Sequence, residues 1–420
     1  MIKNNIKRET YLKKIEGVMD SDFVKIFTGI RRSGKTSLLH SWAEELENKG
    51  INKENIIFIS FESPEYNLID NNIDLDKIIY EKTENIKGRV YLFFDEIQQV
   101  NKWEKSINGY RVTLDCDIYI SGSNSKLLSG ELATVLAGRY INIPVYPFSF
   151  KEVVQYKNEI EGMELTKETI NALFEDYYLN YGGMPSILSL KNDESRKAAL
   201  IDIYNSILLN DIIYRFKIKN IDLLKRYAMF MMNSIGQTYS SKKIKNYLKS
   251  NDVYTTPNTL LKYNEYLQQT FFISKCRRYD FKGKKLMKIK EKYYLMDHGF
   301  HHAIVEKNRL WAPRVIENII YIELLRRGYN VTVGRLGEEN SDNEKKEIEI
   351  DYVCEKYGEY IYIQASYSIS SEETAKREFK PLFKIPDKYD TYIITTDTHD
   401  LSYKGVKHLN IIDFLLGDEI

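Results

Sequence analysis

Residues 29–36 read Gly-Ile-Arg-Arg-Ser-Gly-Lys-Thr, and no other stretch of the chain restricts its fold as sharply. A glycine-rich loop ending in Gly-Lys-Thr serves as a phosphate cradle only between a β-strand and a helix. The flanks supply that setting. Residues 23–28 are a short run of β-formers, and the apolar spacing through residues 37–46 suits a helix. Gly29 and Gly34 let the backbone curl so that its N–H groups and the helix N-terminus face an anion. In this setting Lys35 reaches the terminal phosphates of ATP and the Thr36 hydroxyl ligates Mg2+, with Arg32, Ser33 and Ser37 beside them in the phosphate site.

A second segment agrees with the first. Residues 89–96 read Arg-Val-Tyr-Leu-Phe-Phe-Asp-Glu, an apolar run ending in two carboxylates, as expected of a buried parallel strand that delivers acids to the C-terminal edge of its sheet. Asp95 is expected to hold Mg2+, and Glu96 to orient and polarise the water that attacks the γ-phosphate. The pair therefore predicts hydrolysis and not binding alone. After the fourth predicted strand comes Ser-Gly-Ser-Asn-Ser at 121–125; there Asn124 reads either as a γ-phosphate or water sensor or as a cap of the next helix. Arg139, in Leu-Ala-Gly-Arg-Tyr, is either a residue that neutralises the γ-phosphate of a neighbouring subunit or an ordinary surface arginine.

The 420 residues exceed one typical domain, and the length suggests about three. With 61 basic and 60 acidic residues the net charge is +1, so no global field draws the chain to nucleic acid or to a membrane surface. Any such binding must come from a local patch. Cys116, Cys276 and Cys354 lack metal-ligand spacing, which argues against structural zinc and for a reducing compartment. The polar N-terminal residues and the lack of a long apolar run lead to the expectation of a cytoplasmic protein with no membrane span.

Strands are expected near 23–28, 56–61, 90–94, 117–121 and 141–145, alternating with helices, so residues 1–150 read as an open α/β sheet. Residues 151–216 read as a helical lid interrupted by Tyr-Gly-Gly-Met-Pro at 181–185. Residues 217–300 read as three helices and a β-hairpin, the order of a winged helix. The hairpin segment 275–292 holds nine Lys or Arg against Asp280 and Glu291, and Lys282, Lys284, Lys285 and Lys288 are its candidate DNA-binding residues. Its other reading is a solvated lysine-rich face on a module that serves assembly. Residues 301–420 read as a further α/β unit.

The phosphate loop, the Phe-Phe-Asp-Glu-Ile-Gln strand end, the Ser-Gly-Ser-Asn turn and the Ala-Gly-Arg-Tyr segment together resemble a family of archaeal and bacterial AAA-type ATPases related to the STAND class. The resemblance covers essentially the whole chain. It implies an ATPase core joined to a winged helix and a C-terminal domain of restriction-endonuclease-like fold; association with DNA is expected from the basic hairpin, and an oligomer from an Arg139 that acts on a neighbouring subunit. The double arginine Arg31-Arg32 is typical of the family, and Gly183 and Pro185 match a Gly-x-Pro element that bears on the nucleotide in STAND-type proteins. A nuclease of the implied C-terminal fold needs a helix glutamate, a strand aspartate and a Glu-x-Lys on the next strand. This chain supplies Glu317 and Asp351 but has Gln364 and Ser366 at the last two positions, and Glu349, two residues from Asp351 on one strand, does not restore the lysine. The expected function is Mg2+-dependent ATP hydrolysis that drives conformational change. A slowly hydrolysing signalling scaffold and an ATP-regulated nuclease are the alternatives.

Overall fold

Five runs of β-branched and aromatic residues form the five strands read from the sequence: β1 (Val24–Thr28), β2 (Ile56–Ser60), β3 (Val90–Asp95), β4 (Cys116–Gly122) and β5 (Tyr140–Pro144). All neighbours pair in parallel, in the order β2-β3-β4-β1-β5. The computed structural model describes residues 6–128, 136, 138–250, 253–281, 283, 285–305, 311–339, 345–418 and 420. Every residue of β1 and β3 is buried, as parallel strands covered on both faces require.

Helices α1 (Glu9–Glu16), α2 (Lys35–Asn48), α3 (Asn72–Thr83) and α4 (Trp103–Thr113) supply the cover. On one face Phe27, Phe93 and Tyr119 pack with Leu38, Leu39 and Trp42 of α2. On the other, Ile26, Leu92, Phe94 and Ile120 pack with Ile107 and Tyr110 of α4. Each such side chain contributes about 1.5–3 kcal/mol by leaving water. Because all five strands point the same way, their C-terminal ends share one edge. The phosphate loop follows β1, the two acids close β3 and Asn124 follows β4, so the candidate residues gather at that edge.

The chain divides into two compact units, residues 1–147 with 269–271, and the remainder. The second unit begins with α5 (Phe150–Glu159), opened by a capping box between Ser149 and Glu152. Next, α6 (Lys167–Ala172) runs through a π-helical turn at Leu173–Tyr178 to Tyr181 and stops at Gly182 and Gly183. Gly183 has no room for a side chain, since a Cβ would lie 1.9 Å from the Phe148 carbonyl oxygen. Pro185 then opens a short 3-10 turn, Pro185–Ile187. Helix α7 (Asp193–Ser206) follows, then α8 (Ile221–Asn233), α9 (Ser241–Ser250) and α10 (Pro257–Gln269), and the hairpin β6 (Ile273–Asp280) and β7 (Lys285–Leu295). The rest is α11 (Gly299–Ile304), α12 (Trp311–Arg326), β8 (Asn330–Glu339), β9 (Lys345–Lys356), β10 (Glu359–Ala365), α13 (Glu372–Leu382), β11 (Thr391–Thr395), β12 (Lys407–Asn410) and α14 (Ile411–Leu416).

The structure departs from the expected division at residue 300. The hairpin is not a free wing: β6 runs parallel to β8, with Arg277 opposite Thr332 and Asp280 opposite Arg335. One seven-stranded sheet results, ordered β12-β11-β10-β9-β8-β6-β7. Alternating side chains define the two faces of a strand but not which partner its hydrogen-bonding edge will take. Among the described residues no helix is long and apolar enough to cross a membrane.

Candidate nucleotide site

Gly29, at the end of β1, approaches the β5 side so closely that a Cβ would lie 2.2 Å from the Val145 carbonyl oxygen. Arg32 and Gly34 take left-handed backbone conformations, with φ of 64° and 95°, and Gly34 is the N-cap of α2. The loop therefore turns its amides inward at a helix N-terminus. Lys35 is buried, and its Nζ donates to the carbonyls of Gly29 at 3.1 Å and Ile30 at 3.2 Å. Among the described residues nothing hydrogen-bonds the buried Ser33 hydroxyl. An unsatisfied buried donor beside inward amides suits an oxyanion ligand such as a phosphate.

The Thr36 hydroxyl donates to both Asp95 oxygens, at 3.0 and 3.1 Å. A hydroxyl and a carboxylate joined in this way form the donor set of a hard, oxygen-preferring divalent ion such as Mg2+. Burial pushes the Asp95 carboxyl above its ordinary range and neighbouring Glu96 adds to the rise, while the hydroxyls of Ser121 and Thr36 and the Lys35 charge oppose it. Ser60 adds a hydrogen bond to Asp95 at 3.3 Å.

Glu96 has a left-handed φ of 55°, which turns it out of the strand. Its amide donates to Ser121 Oγ at 3.2 Å, and its Oε2 accepts from Ser123 Oγ at 3.3 Å and from Gln98 Nε2. These contacts fix the direction of the carboxylate. Asn124 is fully buried at the same edge.

Sequence reasoning missed four contributors. Gln98 and Ser123 lie inside motifs already singled out, so their spacing from Glu96 was an available signal. Glu62, just beyond β2, sits 3.5 Å from Arg31 of the loop; burial raises its pKa and the Glu96 charge raises it further. Arg8 carries no local signal, yet it is buried and donates to the Ser33 carbonyl at 3.3 Å and the Tyr146 carbonyl at 3.0 Å, bracing the loop from behind.

Arg139 does not join this edge. It precedes β5, whose register sets Tyr140 opposite Val24 and Pro144 opposite Thr28, so it stands at the far edge of the sheet, about 16 Å of strand away. Gly183 and Pro185 belong to the second unit, where the Gly183 amide donates to Asp297 Oδ2 at 2.9 Å. Of the candidate DNA-binding residues, Lys282 and Lys284 lie outside the described residues, and Lys285 and Lys288 stand on β7. The hairpin is less basic in effect than in sequence. Lys275 pairs with Glu291 at 2.8 Å, Arg278 with Glu349 at 3.3 Å, and Lys292 is buried among acids. At the nuclease-like positions, Gln364 donates to Glu378 Oε2 at 3.0 Å and accepts from the Asp351 amide at 3.3 Å, while Ser366 donates to the Ser368 carbonyl at 3.3 Å.

Residues 21–154 match the family described as an AAA domain, and residues 172–310 match a domain of unknown function (DUF8612), a span that crosses the boundaries expected at 216 and 300. The first unit is thus an AAA-type P-loop ATPase domain. An "uncharacterized protein" of Haemophilus influenzae is 38% identical to this chain, covering 99% of it and 100% of the relative. One of Methanocaldococcus jannaschii is 30% identical, covering 89% and 81%. The chain belongs to the family that these relatives define. Among solved structures it is similar to a Walker-type ATPase of Pyrococcus abyssi, at 16% identity and a TM-score of 0.49, over 72% of this chain and 96% of that one.

Proposed function

We propose that the protein is a Mg2+-dependent ATPase that uses nucleotide turnover to change the state of its second unit, working as an oligomer associated with DNA. The observation that carries the catalytic part is the Thr36–Asp95 pair beside a Glu96 carboxylate held by Gln98 and Ser123. Lys35 would contact the β- and γ-phosphates, with the loop amides and Ser33 around them. Thr36 and Asp95 would hold Mg2+, which when bound offsets charge on the phosphates. Glu96 would orient the attacking water and draw its proton, Asn124 would sense the γ-phosphate, and Gly183 and Pro185 would relate the second unit to nucleotide state. Arg139, too far along the sheet to serve its own loop, would act on the site of an adjacent subunit.

Replacing Lys35 with Ala should abolish ATP binding, whereas Glu96→Gln should retain binding and lower turnover by about 10²–10⁴-fold. Equilibrium binding of a labelled nucleotide and steady-state phosphate release check both. Normal turnover by Glu96→Gln would remove Glu96 from its role. Comparing turnover with and without single- and double-stranded DNA tests the DNA part. A second reading, an ATP-dependent assembly scaffold with a protein partner, draws support from the internal engagement of Lys275, Arg278 and Lys292, and a lack of any DNA effect would favour it.

A further inference from the structure

Lys292 of β7 has no place in the ATPase reading, yet it is only 4% exposed. Its ammonium reaches three carboxylates carried by two other elements: Glu317 of α12 at 3.0 Å, and Glu349 and Asp351 of β9 at 2.8 and 3.6 Å. A buried ammonium loses its hydration and persists only where acidic oxygens replace it. The acids are fixed in turn by the chain itself. The Tyr294 hydroxyl donates to Glu317 Oε1 at 2.6 Å, Arg278 bonds Glu349 at 3.3 Å, and the Ala365 amide donates to Asp351 Oδ2 at 3.0 Å.

We infer that the Lys292 ammonium is the resident cation of the Glu317, Glu349 and Asp351 cluster, standing where a divalent metal would have to stand and closing this acidic centre to Mg2+ and Mn2+. A divalent ion needs several oxygens converging at roughly 2.0–2.6 Å on one point. Here the shared point is taken by a positive group in contact with the same oxygens, which both fills the space and repels a second cation. A lysine that assisted a metal-bound water would leave the acids to the metal; Lys292 takes them for itself. Its position on β7 also gives the cluster a mechanical role, since one side chain ties the hairpin to α12 and to β9.

The test is Mn2+ uptake, read by electron paramagnetic resonance of the free ion, on the full chain at neutral pH without nucleotide, in an Asp95→Asn background that disables the phosphate-loop site. Adding Asp351→Asn should leave uptake unchanged, and chelation by EDTA should not shift the melting temperature. Greater uptake by the parent than by the Asp351→Asn protein overturns the inference. Lys292→Ala should create a Mn2+ site that Asp351→Asn then removes, while Lys292→Met, whose stem keeps the space filled, should not. A folded Lys292→Ala protein that takes up no extra Mn2+ overturns the place-holding role. Should that variant fail to fold, the Asp351→Asn comparison decides alone.

Discussion

Glu96 can polarise a water only if its carboxylate points one way, and the residues that aim it are Gln98 and Ser123. A carboxylate accepting two side-chain hydrogen bonds at one oxygen loses rotamer freedom and presents the other oxygen outward. Gln98→Ala should therefore lower kcat with little change in KM for ATP, by about tenfold, since the loss of one neutral-to-charged hydrogen bond is about 1.5–3 kcal/mol and Ser123 remains. Steady-state kinetics read the split, and a rise in KM alone would show that Gln98 acts on binding instead. The residues proposed for catalysis stand out in the sequence because the chemistry demands fixed spacings around a loop and a strand end. The residues that aim them were legible only in part: Gln98 and Ser123 stand inside the recognised motifs, but their contacts with Glu96, like those of Arg8 with the loop, are created only by the folded chain. Arg8 is the extreme case, reaching the Ser33 carbonyl from 25 residues away.

At the level of elements, the break after α6 is held by a buried acid and a buried imidazole. Asp297 accepts from the amides of Gly183 at 2.9 Å and Gly299 at 2.8 Å, and burial pushes its pKa up from 3.8 to about 6. His298 Nε2 donates to the Tyr178 carbonyl at 2.6 Å, and burial pulls its pKa down from 6.5 to about 4, as it does that of His301. The signs oppose. A raised acid contributes stability that is present below 3.8 and lost as pH rises through about 6. A depressed histidine contributes stability that is present above 6.5 and lost as pH falls through about 4. Two histidines outweigh one aspartate, so acidification across this window should lower the melting temperature, with each histidine contributing at most about 1.4 kcal/mol per pH unit. His298→Gln should flatten the profile between pH 6.5 and about 4; a profile as steep as that of the parent would place the acid sensitivity elsewhere. The elements themselves were readable from periodicity and turn residues, and the five strands of the first sheet fell where expected. The destination of the hairpin was not, because pairing β6 with β8 joins segments more than 50 residues apart in sequence.

On the scale of the whole molecule, a net charge of +1 supplies no long-range attraction, so affinity for DNA must come from local contacts that can be counted. Of the nine basic residues in 275–292, Lys275, Arg278 and Lys292 are committed to Glu291, Glu349 and the acidic cluster. At most six remain for phosphates. Since each neutralised phosphate adds about −0.9 to the slope of log affinity against log salt, binding through the hairpin alone should give a slope no steeper than about −5. Replacing Lys284, Lys285 and Lys288 with Glu should weaken binding to all sequences alike and make the slope shallower by about 3. Fluorescence anisotropy on labelled duplex at several salt concentrations measures both. A slope well beyond that limit would bring in Lys242, Lys243, Lys245 and Lys249 of α9, the other basic run of the same region. Unchanged affinity and slope in the triple variant would mean that the hairpin is a solvated edge of the seven-stranded sheet. The committed lysines would then be its structural fasteners, and the partner of the second unit would be sought among proteins.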